Sequence, residues 1–181
     1  MILPVLQYPD ERLRQLSKPI EDINDEIREL ASSMLETMYA NEGIGLAAPQ
    51  VGKFVRLVVI DLALPEDMTP EEMREEGLPE GIEMPMILVN PELTLSGKTT
   101  RSEEGCLSVP NNYRASVPRH TAAHLKTLDL EGNVIEMDTD GLFAICLQHE
   151  IDHLDGKLFI DYISRLKLNL YKASLRKQGK A

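Results

Sequence analysis

His149-Glu150-Ile151-Asp152-His153 restricts the fold more than any other stretch, because its two imidazoles serve a single ion only if this segment is a helix. On a helix, positions i and i+4 share one face about 6 Å apart along the axis, close enough for both rings to reach one cation. Glu150 points to a different angle, and a carboxylate beside a ligand, without being one, is placed to move protons to and from a water on the ion. The flanks agree with a helix over residues 141 to 156, with Asp138, Thr139 or Asp140 as the N-cap and Gly156 as the stop. Leu142, Ile145, Cys146 and Leu147 make much of its first half apolar, which predicts a helix enclosed by protein. A hydrogen-bonded core histidine accounts for one lone imidazole, but is less economical for a pair flanking a glutamate.

A catalytic site of this kind keeps three protein ligands and leaves a position for water, so a third ligand must come from elsewhere. Cys146 shares the helix but lies about 7 to 8 Å along the axis from an ion held between the histidines, beyond a thiolate's reach. It reads as packing or pocket wall. Cys106 sits in Glu103-Glu104-Gly105-Cys106-Leu107-Ser108-Val109-Pro110, where Gly and Pro predict a turn that presents a side chain; a free buried cysteine is the plain alternative. His120 and His124 are also four apart, but they lack the intervening glutamate and lie in a strand-like segment, where a surface or core role is simpler. Gly43-Ile44-Gly45-Leu46-Ala47-Ala48-Pro49-Gln50 has two glycines that let another backbone approach, which suits a peptide added as a strand, and Gln50 offers an amide donor. A plain glycine-rich loop is the alternative. A nucleotide fingerprint is excluded, since the third glycine and the Lys-Ser/Thr pair are missing.

In this order, Gly43 to Gln50, Glu104 to Ser108 and Gln148 to His153 resemble the three signature motifs of the peptide deformylase family. The similarity runs from Pro4-Val5-Leu6-Gln7-Tyr8-Pro9-Asp10 through Lys157-Leu158-Phe159-Ile160-Asp161, most of the chain. The resemblance implies an α+β fold, with small antiparallel or mixed sheets wrapped around a central metal-binding helix. It implies a hydrolase that takes the N-formyl group from the initiator methionine of nascent polypeptides and releases formate. Cys106, His149 and His153 would hold one ion, Fe2+ as is usual in the family, with Zn2+, Ni2+ or Co2+ as replacements. Glu150 would carry the proton, while the Gln50 side-chain amide and the Leu107 backbone N–H stabilise the oxyanion. The N-formylmethionyl chain would run between Gly43, Ile44 and Gly45 on one side and Gly105 on the other, with Arg114 helping to bind it. Ile44, Leu142, Ile145 and Cys146 are candidate walls of a methionine pocket, and each is equally compatible with ordinary core. A general His-Glu-x-x-His metallopeptidase would share only the helix motif and would cleave internal amides. A non-catalytic binding protein on the same fold is the other alternative.

At 181 residues the chain is sized for one domain, divided here into a catalytic body over 1–163 and a basic helical tail of the same domain over 164–181. Ile27, Leu30, Ala31, Met34, Leu35 and Met38 predict an amphipathic helix over 25–41. Strands are predicted at 55–61, 86–90, 92–96, 122–130 and 134–137, with a hairpin turn at Glu131-Gly132-Asn133. Two cysteines leave no disulfide framework, no apolar run is long enough for a membrane, and no charged leader opens the chain, so a cytoplasmic location is expected. Nothing points to DNA. Residues 64–84 carry eight acids against one base and read as a solvated excursion, with a short helix from Thr69 or Pro70. By contrast, Arg165, Lys167, Lys172, Arg176, Lys177 and Lys180 give the tail six cations and no acid in a chain of net charge −11. Ribosome contact through the tail is one expectation; a solvated helix end, or one drawn to its own acidic body, is the other.

Overall fold

Ala31, Met34 and Met38 recur on one side of a helix over Asp25–Ala40 (α1), and that side is fully buried. Asn24 starts the helix, its side chain accepting the Ile27 N–H at 3.1 Å, one of the donors a helix leaves unpaired at its start. The computed structural model describes residues 1–65 and 67–179.

Beyond α1 lies a five-stranded antiparallel sheet in the order β1 (Gly45–Ala47), β2 (Leu57–Ile60), β3 (Met86–Glu104), β4 (Ala115–Leu128), β5 (Val134–Asp140). The class is α+β, as the resemblance implies, with the described strands joined in one antiparallel sheet. The two segments read as separate strands at 86–90 and 92–96 are parts of β3, which continues to Glu104. Pairing with β4 slips between Val89 and Glu92 and again between Ser96 and Thr99. Such bulges bend a strand without ending it, and each sits at a residue with positive φ, Asn90 (51°) and Gly97 (73°). Those turn-like residues are what a sequence reading takes for breaks. The Glu131-Gly132-Asn133 turn is present, with Asp129 Oδ1 accepting the N–H groups of Glu131 and Asn133.

All four residues of β2 are fully buried, because the sheet is covered on both faces here. Leu57 and Val59 join the cluster of Met34 and Met38 on α1, while Val58 and Ile60 join that of Phe143 and Leu147. The latter belong to α3 (Gly141–Leu154), the helix of the His-Glu-x-x-His motif, which is enclosed as predicted.

Residues 64–84 do contain a short helix, α2 (Pro70–Glu75), with Thr69 and Glu72 forming a capping box. The segment is more than a solvated excursion, however. Leu78 is 1% exposed and packs in the core with Phe143, Met137 and Met86. Asp140 occupies the N-cap position of α3 without a side-chain cap bond. The Glu76 carbonyl instead accepts the Phe143 N–H at 3.1 Å, and the Gly77 carbonyl accepts the Thr139 hydroxyl at 2.8 Å. A Cβ on Gly77 would collide with the Asp140 carbonyl, so this approach requires glycine. This acidic segment therefore closes over the start of α3, the helix of the His-Glu-x-x-His motif.

The tail forms α4 (Arg165–Lys177), with Ser164 as its N-cap, and it packs on the body. Tyr171 and Leu175 are buried with Val109, Ala115 and Phe159, and Tyr171 Oη donates to the Pro110 carbonyl at 3.1 Å. Lys180 lies outside the described residues.

Docking of the insertion through Leu78 predicts that Leu78→Ala lowers the unfolding free energy by about 3 kcal/mol. Urea unfolding should show this, whereas the exposed control Glu71→Ala changes it by less than about 0.5 kcal/mol. Equal small effects of both would mean that the segment does not pack in solution.

Candidate metal centre

The loop between β3 and β4 brings Cys106 to the face of α3 that carries His149 and His153. Their ligand atoms all lie within 4.8 Å of one another, with Cys106 Sγ 3.2 Å from His153 Nε2. The two rings stand 5.0 Å apart and nearly perpendicular at 77°, as two side chains one turn apart do when they converge on a common point. Ser108 N and Gln50 Nε2 each point at the sulfur from 3.4 Å. Cys146, one turn before His149, stays out of the cluster and is buried in the core. Among the described residues no second group of this kind occurs; His124 pairs instead with Asp138 on the surface, at 2.8 Å.

One sulfur and two imidazole nitrogens form a three-ligand set that leaves room for a fourth partner, and they suit a divalent transition-metal ion. The electrostatics fit such a charge. Burial holds His153 well below the ordinary imidazole range, keeping it in the neutral form that ligates. Burial would also lower His149, but hydrogen bonds to Cys106 and Glu104 outweigh it and raise that group well above its ordinary value. The Cys106 sulfur and the Glu104 carboxylate thus favour positive charge at His149.

Glu104, the last residue of β3, fixes His149. Its Oε2 lies 2.8 Å from His149 Nδ1; an ionised carboxylate only accepts, so Nδ1 carries the proton and Nε2 is left for the ion. Arg119 on β4 grips the same carboxylate with Nε at 2.7 Å and Nη2 at 2.9 Å, and its Nη1 donates to Asp152 Oδ2 at 2.6 Å. Arg119 and Glu104 are 4% and 6% exposed. Burial alone would raise the Glu104 carboxyl, yet the bonds from Arg119 and His149 hold it below its usual value. Arg119, Asp152 and the role of Glu104 escaped the sequence reading. The available signal was chemical: a ligating histidine needs an acceptor for its second nitrogen, and a buried carboxylate then needs a cation.

Glu150, next to His149 on α3, is buried, with Oε2 lacking any hydrogen-bond partner among the described residues. Burial, the dominant cause, pushes its carboxyl up to about 7. Gln50 is fixed by accepting the Ala47 N–H on Oε1 at 2.8 Å, which turns Nε2 towards Cys106 and Ser108. The Leu107 N–H finds no acceptor among the described residues. A cavity of about 730 Å³ opens in front, lined by Gly43, Ile44, Gly45, Gln50, Gly105, Cys106, Leu107, Arg114, Leu142, Ile145, Cys146, His149 and Glu150. The expected site residues thus converge on one surface, with His153 buried just behind it. β1 is the edge strand of the sheet, so its outer backbone is open to an added strand. The turn after Cys106 carries Asn111 and Asn112 at positive φ, 67° and 48°, a conformation that asparagine tolerates.

Glu104→Gln should weaken metal binding about 10- to 100-fold, read by the thiolate-to-metal absorbance in a Co2+ titration. Arg119→Met, which leaves Glu104 buried without its cation, should cost about 3–5 kcal/mol in urea unfolding. Wild-type Co2+ affinity in the first variant would remove the orienting role of Glu104.

The sequence profile described as polypeptide deformylase matches residues 2–169. A peptide deformylase of Acinetobacter baumannii (strain SDF) is 45% identical over 177 residues, spanning 97% of this chain and 91% of the relative. The crystal structure of a peptide deformylase from Legionella pneumophila superposes with a TM-score of 0.84 at 39% identity, covering 99% of this chain and 96% of that one. A Met-Ala-Ser-bound class I type b peptide deformylase of A. baumannii gives 0.76 at 33% identity, over 90% and 99% of the two chains. Similarity of this extent, in fold as well as in sequence, fixes the lineage: the chain belongs to the polypeptide deformylase family.

Proposed function

We propose that this chain removes the N-formyl group from the initiator methionine of nascent polypeptides at the cavity beside Cys106, releasing formate and a free amine. The observation that carries the placement is the set around the cluster: an unpartnered buried carboxylate, a pinned amide donor and an open strand edge. Cys106, His149 and His153 would hold a divalent ion, which would supply Lewis-acid chemistry and lower the pKa of a nearby water. Glu150 takes the proton of that water and returns it to the departing nitrogen as the C–N bond breaks, so the leaving group departs as a neutral amine. Gln50 Nε2 and the Leu107 N–H stabilise the oxyanion, each worth about 3 kcal/mol in the transition state. The peptide lies as an added strand between Gly43 to Gly45 and Gly105, held by main-chain bonds that do not depend on sequence. Its methionine enters among Ile44, Leu142, Ile145 and Cys146. The Met-Ala-Ser held by the A. baumannii relative supports this class of ligand.

Fe2+ is the proposed ion, with Zn2+, Ni2+ or Co2+ as replacements, since one thiolate and two imidazoles accommodate each of them. Metal analysis of anaerobically purified protein tests this. We assign residues 1–163 to catalysis and 164–181 to a tail of the same domain, working on nascent chains in the cytoplasm. No helix among the described residues is long and apolar enough to cross a membrane. The exposed cations Arg165, Arg176 and Lys177 on α4 are proposed to touch the ribosome. Deletion of the tail would also remove the buried Tyr171 and Leu175, so charge reversal of those three, followed by co-sedimentation at two salt concentrations, is the informative test. Unchanged binding would end that proposal.

Formyl-Met-Ala-Ser should yield formate and acetyl-Met-Ala-Ser almost none. Glu150→Gln should lose turnover with the metal retained; undiminished formate release would overturn its proton-carrying role. Gly45→Ala gives a sharper geometric test. A Cβ there would stand 2.8 Å from Glu150 Cδ, and the flexible carboxylate must swing away. The expected result is a loss of about 10²-fold in kcat/KM with little change in melting temperature, and wild-type activity would refute the geometry.

A further inference from the structure

A second hollow, of about 460 Å³, lies beside the active-site cavity, and its size falls within the range of ligand pockets. One wall is Tyr113 to Ser116, the end of the loop and the first residues of β4; the other is the face of α4 formed by Lys167, Leu170, Tyr171 and Ser174, positions spaced three and four apart. Glu103 and Arg114 line both hollows and form the ridge between them. Arg114 also runs alongside Gly105, where its Cγ would lie 3.5 Å from an added Cβ. A chain that follows Gly105 away from the metal cluster therefore meets Arg114 and then the second hollow.

The lining chemistry is asymmetric. Arg114 donates Nη2 to the Glu103 carbonyl at 3.1 Å, and among the described residues neither Arg114 nor Lys167 forms an ion pair with a carboxylate. Two cations thus frame the hollow against the single carboxylate of Glu103. Between them Tyr113 and Tyr171 stack with centroids 4.2 Å apart, and Leu170 is 63% exposed at the rim. A solvent-facing leucine thus stands next to two cations without carboxylate partners, in a hollow that shares Glu103 and Arg114 with the neighbouring cavity.

We propose that this hollow is a downstream substrate subsite that receives the fourth to sixth residues of the formylated peptide and favours acidic side chains there. The inference rests on the function proposed above and adds a selectivity to it. It also opposes the field of the whole molecule. With a net charge of −11, long-range attraction alone would favour basic peptides, so a preference for acidic ones has to come from the local site.

The test compares formyl-Met-Ala-Ser, formyl-Met-Ala-Ser-Glu-Glu-Glu and formyl-Met-Ala-Ser-Lys-Lys-Lys with the metal-loaded enzyme at low salt. The acidic hexapeptide should have a KM about fivefold lower than the basic one, as expected for one or two partly exposed ion pairs, with kcat alike. Lys167→Glu combined with Leu170→Ser should abolish or reverse that preference and leave the tripeptide kinetics unchanged. Equal kcat/KM for the two hexapeptides, or an equal effect of the double variant on the tripeptide, overturns the second subsite. Absence of formate even from the tripeptide overturns the functional reading, and this inference with it.

Discussion

One buried guanidinium holds the site together. Arg119 joins the end of β3, through Glu104, to the end of α3, through Asp152, and so ties the loop that carries Cys106 to the helix that carries both histidines. Removing two such charges from water is costly unless every donor is met. Here the surroundings meet that need: Tyr162 Oη donates to Asp152 Oδ1 at 3.0 Å, and the Tyr162 ring lies 5.0 Å from the guanidinium carbon. The chain therefore spends its least forgiving interaction on the relative placement of three ligand atoms from two distant segments.

Around that point the packing is layered so that α3 has little freedom. Its Phe143 and Leu147 press on β2, the residues of the acidic insertion close over its first turn, and His149 stacks on Phe159 at 6.1 Å. Phe159 in turn faces Tyr113, which stacks on Tyr171 of the tail. A run of aromatic rings thus extends from the metal ligand to the C-terminal helix. The tail shares the core of the catalytic body.

Local rules made much of this legible. α1 follows from apolar spacing, α3 from the spacing of its histidines and its flanking caps, and the convergence of Cys106 with the two histidines from ligand chemistry plus a resemblance that spans three motifs. What stayed hidden depends on partners far away in sequence. Asn90 and Gly97 look like strand breaks because a bulge and a turn use the same residues; only pairing with β4 distinguishes them. Arg119 sits in an ordinary strand, and nothing in its neighbours announces a buried cation. Leu78 lies among acids that read as solvent-facing, and its burial depends on the hole beside Phe143. The catalytic roles drawn from the motifs came from likeness, and their geometry from the fold.

The open edge of β1 has a kinetic consequence. An unpaired strand edge normally invites self-association, but this one is three residues long, begins at a glycine and ends where the chain turns into the Ala48–Val51 turn that holds Gln50. A visiting chain can zip onto it for only a couple of rungs before the edge runs out. If the substrate docks there as proposed, so short a ladder would grip any sequence loosely and release it quickly, which suits processing each emerging N-terminus once.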